Sequence, residues 1–334
     1  METNTNYLVN YYQYKYVKYL TKYNNLAQVG GHNLNTDLDK IVSIASKVKI
    51  LAMCEATHGQ EKINKFRVDV FKVLVEKCGY TVFVLEDQYS CCQMINNYIK
   101  TGYGSPLELV MQLMFFWTSK QMLKLIKWMR QYNKKHNNIL EFKGIDIQTT
   151  CDAYDAYDRV NKYNAKKDKI PFMIEKIAQI NDTIDQFDDD WVKADGFRDK
   201  SMYEVFMEFY DKDKKYFMIA HNFHFAKKDV KGGLPNAKWA GYYLNKRFGS
   251  DYYAIGNLFK KGKYLETPDL IETGVKYKWL KGSKNFIIVY DVPKFIGINS
   301  DELVPGLNIL DKGAPYDAVM VIDNETPLEL AKLY

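Results

Sequence analysis

The chain lacks the features that mark secreted and membrane-spanning proteins. Its five cysteines are an odd number and two of them, Cys91 and Cys92, are adjacent, which argues against a disulfide framework. The sequence does not open with a basic stretch followed by an apolar segment, as a signal peptide would. Uninterrupted apolar runs such as Leu113–Trp117 are far shorter than a bilayer span. We therefore expect a soluble, intracellular, cytoplasmic protein with no membrane partner.

Positive charge is not concentrated in any one segment. The 47 basic and 41 acidic residues give a net charge of +6, but the two signs are interspersed, and even the dense stretch 211–215 mixes them. A nucleic-acid-binding protein would gather its basic residues on one face or tail. We expect no nucleic-acid partner. With 334 residues and 47% hydrophobic content, the chain can form one large domain or two modest ones.

Several familiar catalytic motifs are missing as well. There is no G-x-S-x-G nucleophile elbow, no glycine-rich phosphate loop after a strand and no C-x-x-C pair. Cys54 follows an apolar run next to Glu55 and could be proposed as a nucleophile, but burial at the end of a strand is the better interpretation. The sequence therefore offers no covalent nucleophile of a known pattern.

Hydrophobic periodicity predicts strands that alternate with helices. The predicted strands are Val48–Cys54, Thr81–Leu85, Leu140–Ile145, Tyr216–Ala220, Tyr252–Asn257, Phe286–Tyr290 and Ala318–Ile322. The predicted helices are a short one capped by residues 35–37, then Gln60–Lys77, Gln88–Lys100, Pro106–Phe116 and Ser119–Tyr132. This alternation predicts an α/β fold with a mostly parallel central sheet flanked by helices. We assign residues 1–34 to a variable N-terminal extension and 35–334 to one α/β domain, with a helical insertion at 152–213.

Residues able to donate or accept protons follow three of the predicted strands. Glu55 and His58 come after the first strand, Glu86 after the second, and His221 and His224 after the fourth. In an open α/β sheet, ligands bind in the crevice at the carboxyl ends of the strands. We therefore expect these side chains to line one cleft there, as an acid/base site or a metal site.

Each histidine has more than one interpretation at this point. His58 lies in a loop before a helix, where it could act as a base, with Glu55 to fix its tautomer and free helix amides to bind an oxyanion. A single loop histidine is also often structural. The His221-x-x-His224 pair could be half of a metal site, completed by carboxylates, or a metal-free pair of hydrogen-bonding groups.

Arg67 lies on the apolar face of its predicted helix. It follows Ile63 by four residues and precedes Val70 by three, which places all three side chains on one face. An unpaired charge turned toward a core is very costly, so an acidic partner is expected, and Glu55 and Glu86 are the candidates. Alternatively, the guanidinium extends past the edge of the apolar face to solvent.

Eight blocks of sequence, in order, make the chain resemble the erythromycin esterase family. They are Glu55-Ala-Thr-His58-Gly59, Arg67, Glu86-Asp87, Phe116-Trp117-Thr118, Gly144-Ile-Asp146-Ile-Gln148, Arg198-Asp199-x-x-Met202, Ala220-His221-Asn222-x-His224 and Tyr316-Asp-Ala…Ile322-Asp-x-x-Thr326-Pro327. The resemblance spans about Leu38 to Leu328. It implies an α/β fold with a helical insertion and a cleft at the strand ends.

The resemblance also implies an activity, which is hydrolysis of a small-molecule ester or lactone by water rather than by a covalent serine. Our leading expectation is that the reaction needs no metal and no other cofactor. Carried over to this sequence, His58 is the general base and Glu55 assists it. The remaining positions of the site are filled by Arg67, Glu86, His221 and His224. Two departures stand out: Cys54 replaces a glycine usual in the family, and Val205 replaces a common asparagine.

Two other functional interpretations remain open from the sequence. A metal-dependent hydrolase would use the same glutamates and histidines as ligands of a divalent ion. A catalytically silent member of the family would serve as a binding or structural component, although the complete set of polar residues argues against this. The sequence identifies neither the substrate nor the oligomeric state.

Overall fold

The computed structural model describes residues 34–147, 191–228, 238–265, 270–274, 315–325 and 328–331. The predicted N-terminal extension up to residue 33 and the predicted strand Phe286–Tyr290 lie outside these ranges. Of the predicted insertion, only residues 191–213 fall within them, and they include one long helix. The domain boundaries therefore remain predictions.

The described residues form one seven-stranded sheet. Its strands are β1 (Ile50–Met53), β2 (Val82–Gln88), β3 (Glu141–Asp146), β4 (Tyr216–Ile219), β5 (Tyr252–Leu265), β6 (Leu270–Gly274) and β7 (Ala318–Glu325). The order runs β3-β2-β4-β1-β5, with β6 and β7 both paired to the long strand β5. Every pairing is parallel except β5 with β6. The predicted α/β class with a mostly parallel sheet is confirmed.

Helices connect the strands. In the described ranges they are α1 (Leu34–Lys47), α2 (Glu61–Cys78), α3 (Tyr89–Thr101), α4 (Pro106–Val110), α5 (Lys120–Lys135), α6 (Trp191–Phe209), α7 (Asn222–Phe225) and α8 (Ala240–Phe248). No helix of these ranges is both long enough and apolar enough to cross a bilayer. Gly79 ends α2 with a φ of 73°, a left-handed conformation that glycine adopts without steric cost.

The predicted helix Pro106–Phe116 is wrong in its second half. The helix ends at Val110, and a short 3₁₀ turn follows at Phe115–Trp117. The backbone N–H of Met114 donates to the buried carboxylate of Asp87 at 2.9 Å. This N–H therefore bonds to a residue of β2 instead of continuing the helix. The result brings Phe116 and Trp117 to the carboxyl end of β1.

β2 continues beyond its predicted end at Leu85. It reaches Gln88, although its register with β3 shifts between Leu85 and Gln88. The extension passes very close to Gly144, where an added Cβ would lie 2.5 Å from the carbonyl oxygen of Asp87 and 2.7 Å from that of Gln88. Glycine is therefore required at 144. Glu86 lies within β2 rather than in the loop that follows it.

The sheet is buried on both of its faces. Along β1, Leu51 and Met53 belong to the core on one face, which includes helices α1 to α5. Ile50 and Ala52 belong to the core on the other face, with side chains of α6 and α8. Alternating side chains of one strand thus contribute to two cores, as expected for a parallel sheet between helical layers.

Candidate active site

The loops after β1 and β4 stay paired after the strands end. Glu55 forms an isolated parallel bridge with His221. The N–H of Glu55 donates to the Ala220 carbonyl at 3.0 Å, and the N–H of Asn222 donates to the Glu55 carbonyl at 2.8 Å. These bonds fix the relative height of the two loops, and with β2 on the other side of β4 they bring the predicted site residues to one edge of the sheet.

Glu55 is fully buried and holds two partners at once. Its Oε1 lies 2.7 Å from Nδ1 of His58, and its Oε2 accepts from Nη2 of Arg67 at 2.5 Å. Arg67 is also fully buried. The predicted pairing of Arg67 with a carboxylate at a strand end is therefore confirmed, and the alternative of a solvent-exposed guanidinium is wrong.

Further contacts hold the guanidinium of Arg67. It donates to the side chain of Asn64, one turn earlier on α2, and to the Met53 carbonyl at 3.4 Å. Its central carbon lies 5.4 Å from the ring centroid of Trp117, a cation–π distance. The indole N–H of Trp117 in turn donates to the Glu86 carbonyl at 2.7 Å. Arg67 therefore links the strand ends of β1 and β2 through α2 and the 3₁₀ turn.

His58 is partly exposed and keeps one ring nitrogen without a hydrogen-bond partner among the described residues. Its ring stacks on Phe116 with centroids 3.9 Å apart, and 26% of its side chain is exposed. Nδ1 faces Glu55, while Nε2 has no hydrogen-bond partner among the described residues. Burial lowers the pKa of His58, but the hydrogen bond to Glu55 and the charges of Glu86 and Glu55 outweigh it. The pKa of His58 therefore lies above its ordinary value of 6.5.

A second cluster of charged side chains surrounds Glu86. Its Oε1 lies 3.0 Å from Nε2 of His224, and the other ring nitrogen of His224 lies 3.0 Å from both carboxylate oxygens of Asp199. Arg198 is 3.4 Å from Glu86 and makes a two-point contact with Asp146 at 2.9 and 2.7 Å. Burial raises the pKa of Glu86, but His224 and the other cations outweigh it and hold that pKa well below the ordinary range.

His221 lies between these two clusters, and both of its ring nitrogens make hydrogen bonds. Its backbone N–H donates to Oε2 of Glu86 at 2.6 Å, and its ring Nε2 donates to the Ala56 carbonyl at 3.0 Å. Its Nδ1 accepts the N–H of Phe223 at 3.4 Å. Burial, with the charge of His58, lowers the pKa of His221 to about 4. His221 is thus a neutral ring, with its centroid 5.4 Å from that of His58.

The structure brings together all six residues proposed from the sequence, and it adds others. Asp199, Arg198 and Asp146 were quoted only as part of the family resemblance. A signal for Asp199 was present, because Met202 and Phe206 follow it at helical spacing and are fully buried like it. That is the same pattern of a charge on an apolar face that identified Arg67.

The geometry does not favour a metal site or a cysteine nucleophile. No three His, Cys, Asp or Glu side chains of the described ranges converge as ligands of a metal ion would. The ring nitrogens of His224 face carboxylates, and Nε2 of His221 donates to a carbonyl. Cys54 is fully buried, and burial raises the pKa of its thiol, so the thiolate needed for attack is disfavoured.

Comparison with known sequences gives two matches. The family model described as Erythromycin esterase matches residues 75–189 and 172–281, together more than half of the chain. Erythromycin esterase type II of Escherichia coli is 27% identical over 118 residues, which make up 35% of this chain. The matched region covers only 28% of that relative's own length.

Solved structures share the fold over most of the chain. A Bacillus cereus protein gives a TM-score of 0.68 at 19% identity, covering 90% of this chain and 94% of its own. A succinoglycan biosynthesis protein gives 0.63 at 18% identity, covering 88% and 92%. An erythromycin esterase mutant in its open conformation gives 0.62 at 12% identity, covering 91% and 97%. At these identities the likeness shows the fold alone.

Proposed function

Since this chain belongs to the erythromycin esterase family, we propose that it is a hydrolase that cleaves a small-molecule ester or lactone with water, using His58 as the general base. One observation carries the proposal. His58 has Nδ1 fixed by a buried carboxylate at 2.7 Å, while Nε2 is without a partner in the described ranges on a partly exposed ring. A base oriented in this way is the requirement for removing a proton from water.

These contacts support the following proton path. Nε2 of His58 takes a proton from a water molecule as the water oxygen attacks the ester carbonyl carbon. Glu55 accepts the Nδ1–H and stabilises the imidazolium that forms. The same Nε2–H then protonates the leaving alkoxide as the tetrahedral intermediate collapses. Arg67 holds the Glu55 carboxylate in place throughout, so Glu55 need not take the proton itself.

The N-terminus of α2 is the candidate for binding the developing oxyanion. The helix has 18 residues and begins at Glu61, three residues after His58. Its N-cap residue, Gln60, makes no side-chain hydrogen bond to the first turn. The first N–H groups of a helix have no partner within the helix and carry partial positive charge. They are suited to stabilise negative charge on the carbonyl oxygen.

A screen of lactones and simple aryl esters tests the proposed activity. The wild-type protein is compared with His58→Ala and with His136→Ala, a matched change of an exposed histidine. Hydrolysis by the wild type and by His136→Ala, but not by His58→Ala, supports the proposal. Absence of turnover on every ester and lactone, with retained binding of some of them, would instead indicate a silent binding protein.

Removing divalent metals is expected to leave turnover unchanged. The physical reason is that the ring nitrogens of His221 and His224 already face hydrogen-bond partners, so they have no lone pair directed at a shared ion. The measurement is turnover before and after prolonged dialysis against a chelator, together with metal analysis of the purified protein. Loss of activity on chelation, with recovery on adding back one ion, would favour the metal-dependent mechanism.

The pH profile should reflect the environment of His58. A general base works only when deprotonated, so kcat/KM should rise with pH through the pKa of His58 in the free enzyme. Because Glu55 and Glu86 raise that pKa, the midpoint should lie above 6.5 rather than at or below it. The check is kcat/KM measured from pH 5 to 9 on one ester. A flat profile, or one that falls through this range, would contradict His58 as the base.

A further inference from the structure

We propose that His224 is a fixed imidazolium rather than a proton-transfer group, and that Asp199 is the positioning residue that keeps it so. In this arrangement His224 holds the Glu86 carboxylate in place and leaves His58 as the one exchanging base among the three histidines of the site. The consequences for turnover rest on the proposed function. The charge state of His224 does not.

Counting donors and acceptors leads to this charge state. Both ring nitrogens of His224 lie 3.0 Å from carboxylate oxygens, with Glu86 on one side and Asp199 on the other. An ionised carboxylate can only accept hydrogen bonds, and a neutral imidazole has only one N–H to give. Two such contacts therefore require a proton on each nitrogen, which is the imidazolium.

Glu86 is not placed to supply the missing proton instead. Oε2 of Glu86 already accepts the backbone N–H of His221 at 2.6 Å, and its Oε1 lies 3.4 Å from Arg198. Oδ1 of Asp199 accepts the backbone N–H of Ala240 at 2.9 Å. Besides His224, the amide of His221 and the guanidinium of Arg198 donate to Glu86, and such donors favour the ionised form of a carboxylate. Burial lowers the pKa of His224, but Asp199 and Glu86 outweigh it and raise that pKa to about 10.

Groups from four elements face His224, and their charges favour its imidazolium form. Glu86 comes from β2, and Asp199 and Arg198 come from α6. The neutral His221 precedes α7, and the apolar ring of Trp239, just before α8, lies 6.2 Å away edge-on. Two carboxylates thus outnumber the one neighbouring cation. Asp199 also ties α8 to the site through Ala240.

The consequence is a division of roles among three neighbouring histidines. His221 is neutral and holds the Ala56 carbonyl, and His224 is charged and holds Glu86. His58 is the ring whose charge is free to change near neutral pH, because its Nε2 has no partner among the described residues. A fixed cation near His58 also opposes its protonation, which keeps the pKa of His58 from rising further.

The wild-type protein tests the charge state directly, whether or not a substrate is known. In a spectrum of protein labelled with ¹⁵N-histidine at pH 8, one ring should carry protons on both nitrogens. His224→Gln should remove that signal and identify it. A single protonated nitrogen on His224 at pH 8 would overturn the proposal, even if the enzyme hydrolyses esters. A doubly protonated His224 in a protein without hydrolase activity would refute the proposed function and leave this inference intact.

Asp199→Asn tests the positioning role, because it removes the charge but keeps the shape. We expect His224 to lose its second proton near neutral pH. We also expect kcat to fall more than tenfold with little change in KM. The rising limb of the pH profile should move to higher pH. The limb moves upward because the cation that opposes protonation of His58 is lost. Asp69→Asn, the same change at a partly exposed acid on α2, is the matched control.

A purely structural role for Asp199 predicts a different outcome. Lower stability, with an unshifted pH limb and a still doubly protonated His224 in Asp199→Asn, would overturn the positioning role. Asp199→Glu restores the charge, and partial recovery of the wild-type pH limb supports the role. If Asp199→Asn does not fold, the spectrum of the wild type still decides the charge state, and the pH limb of Asp199→Glu decides the rest.

Discussion

Replacing His58 by alanine is expected to lower kcat by about 10²–10⁴-fold, the usual contribution of a general base, while leaving affinity for the substrate nearly unchanged. The physical reason is that His58 is the ring in the cluster with an unoccupied nitrogen in the described structure. The measurement is steady-state kinetics of His58→Ala on an ester that the wild type hydrolyses, with the thermal melting temperature recorded to show that the fold survives.

His136→Ala is the matched control, because His136 is exposed and, within the described ranges, stacks on Tyr132 of α5. It should keep wild-type kinetics. The same experiment includes a search for a covalent intermediate, since direct attack by water leaves no acyl-enzyme and gives no burst. An acyl group trapped on Cys54 or on any serine, or a fully active His58→Ala, would defeat the mechanism.

Replacing Arg67 by alanine should destabilise the fold by about 3–5 kcal/mol, because removing one partner of a buried pair strands the other charge. Here the stranded group is Glu55, which is fully buried and hydrogen-bonded to Arg67 at 2.5 Å. The contacts to Asn64 and Trp117 are lost at the same time. The measurement is the free energy of unfolding from denaturant titration. Activity should also fall, because Glu55 orients His58.

Arg247→Ala provides the control, since this exposed arginine lies in the last turn of α8. Its free energy of unfolding should stay within about 0.5 kcal/mol of the wild type, as is usual for surface substitutions. Arg67→Lys separates charge from geometry. A lysine keeps the charge but cannot reach Glu55, Asn64 and the Met53 carbonyl together, so its stability should lie between the two. An unchanged stability of Arg67→Ala would show that the buried pair contributes nothing.

The parts of the fold and site that local sequence patterns determine could be predicted. Apolar runs located the parallel strands, and the polar residues after them located the site. Helical spacing placed Arg67 in the interior, because a side chain four residues after Ile63 and three before Val70 faces the same way. Each of these inferences uses residues within a few positions of one another, where geometry depends on the secondary structure alone.

The rest depends on contacts between residues distant in the sequence. His221 and His224 lie three positions apart, yet the pKa of one is lowered to about 4 and that of the other raised to about 10. The lowered pKa of His221 comes mainly from burial, whereas the pKa of His224 is raised by Asp199, on another helix that no local pattern connects to it, and by Glu86. The early end of α4 has the same origin, since the carboxylate of Asp87 on β2 binds the backbone of Met114.

The position of β4 in the sheet has a consequence for how the protein is made. β1 and β2 follow one another in the chain but are separated in the sheet by β4, whose Tyr216 pairs with Ile50 on one side and Val82 on the other. At 5–20 residues per second, a nascent chain needs roughly 6–26 s to extend from the end of β2 to the start of β4. During that interval the edges of β1 and β2 await their native neighbour, and such edges are templates for aggregation. β4 therefore arrives late between two strands that are already made, and the residues that follow it, His221 and His224, join partners synthesised long before them.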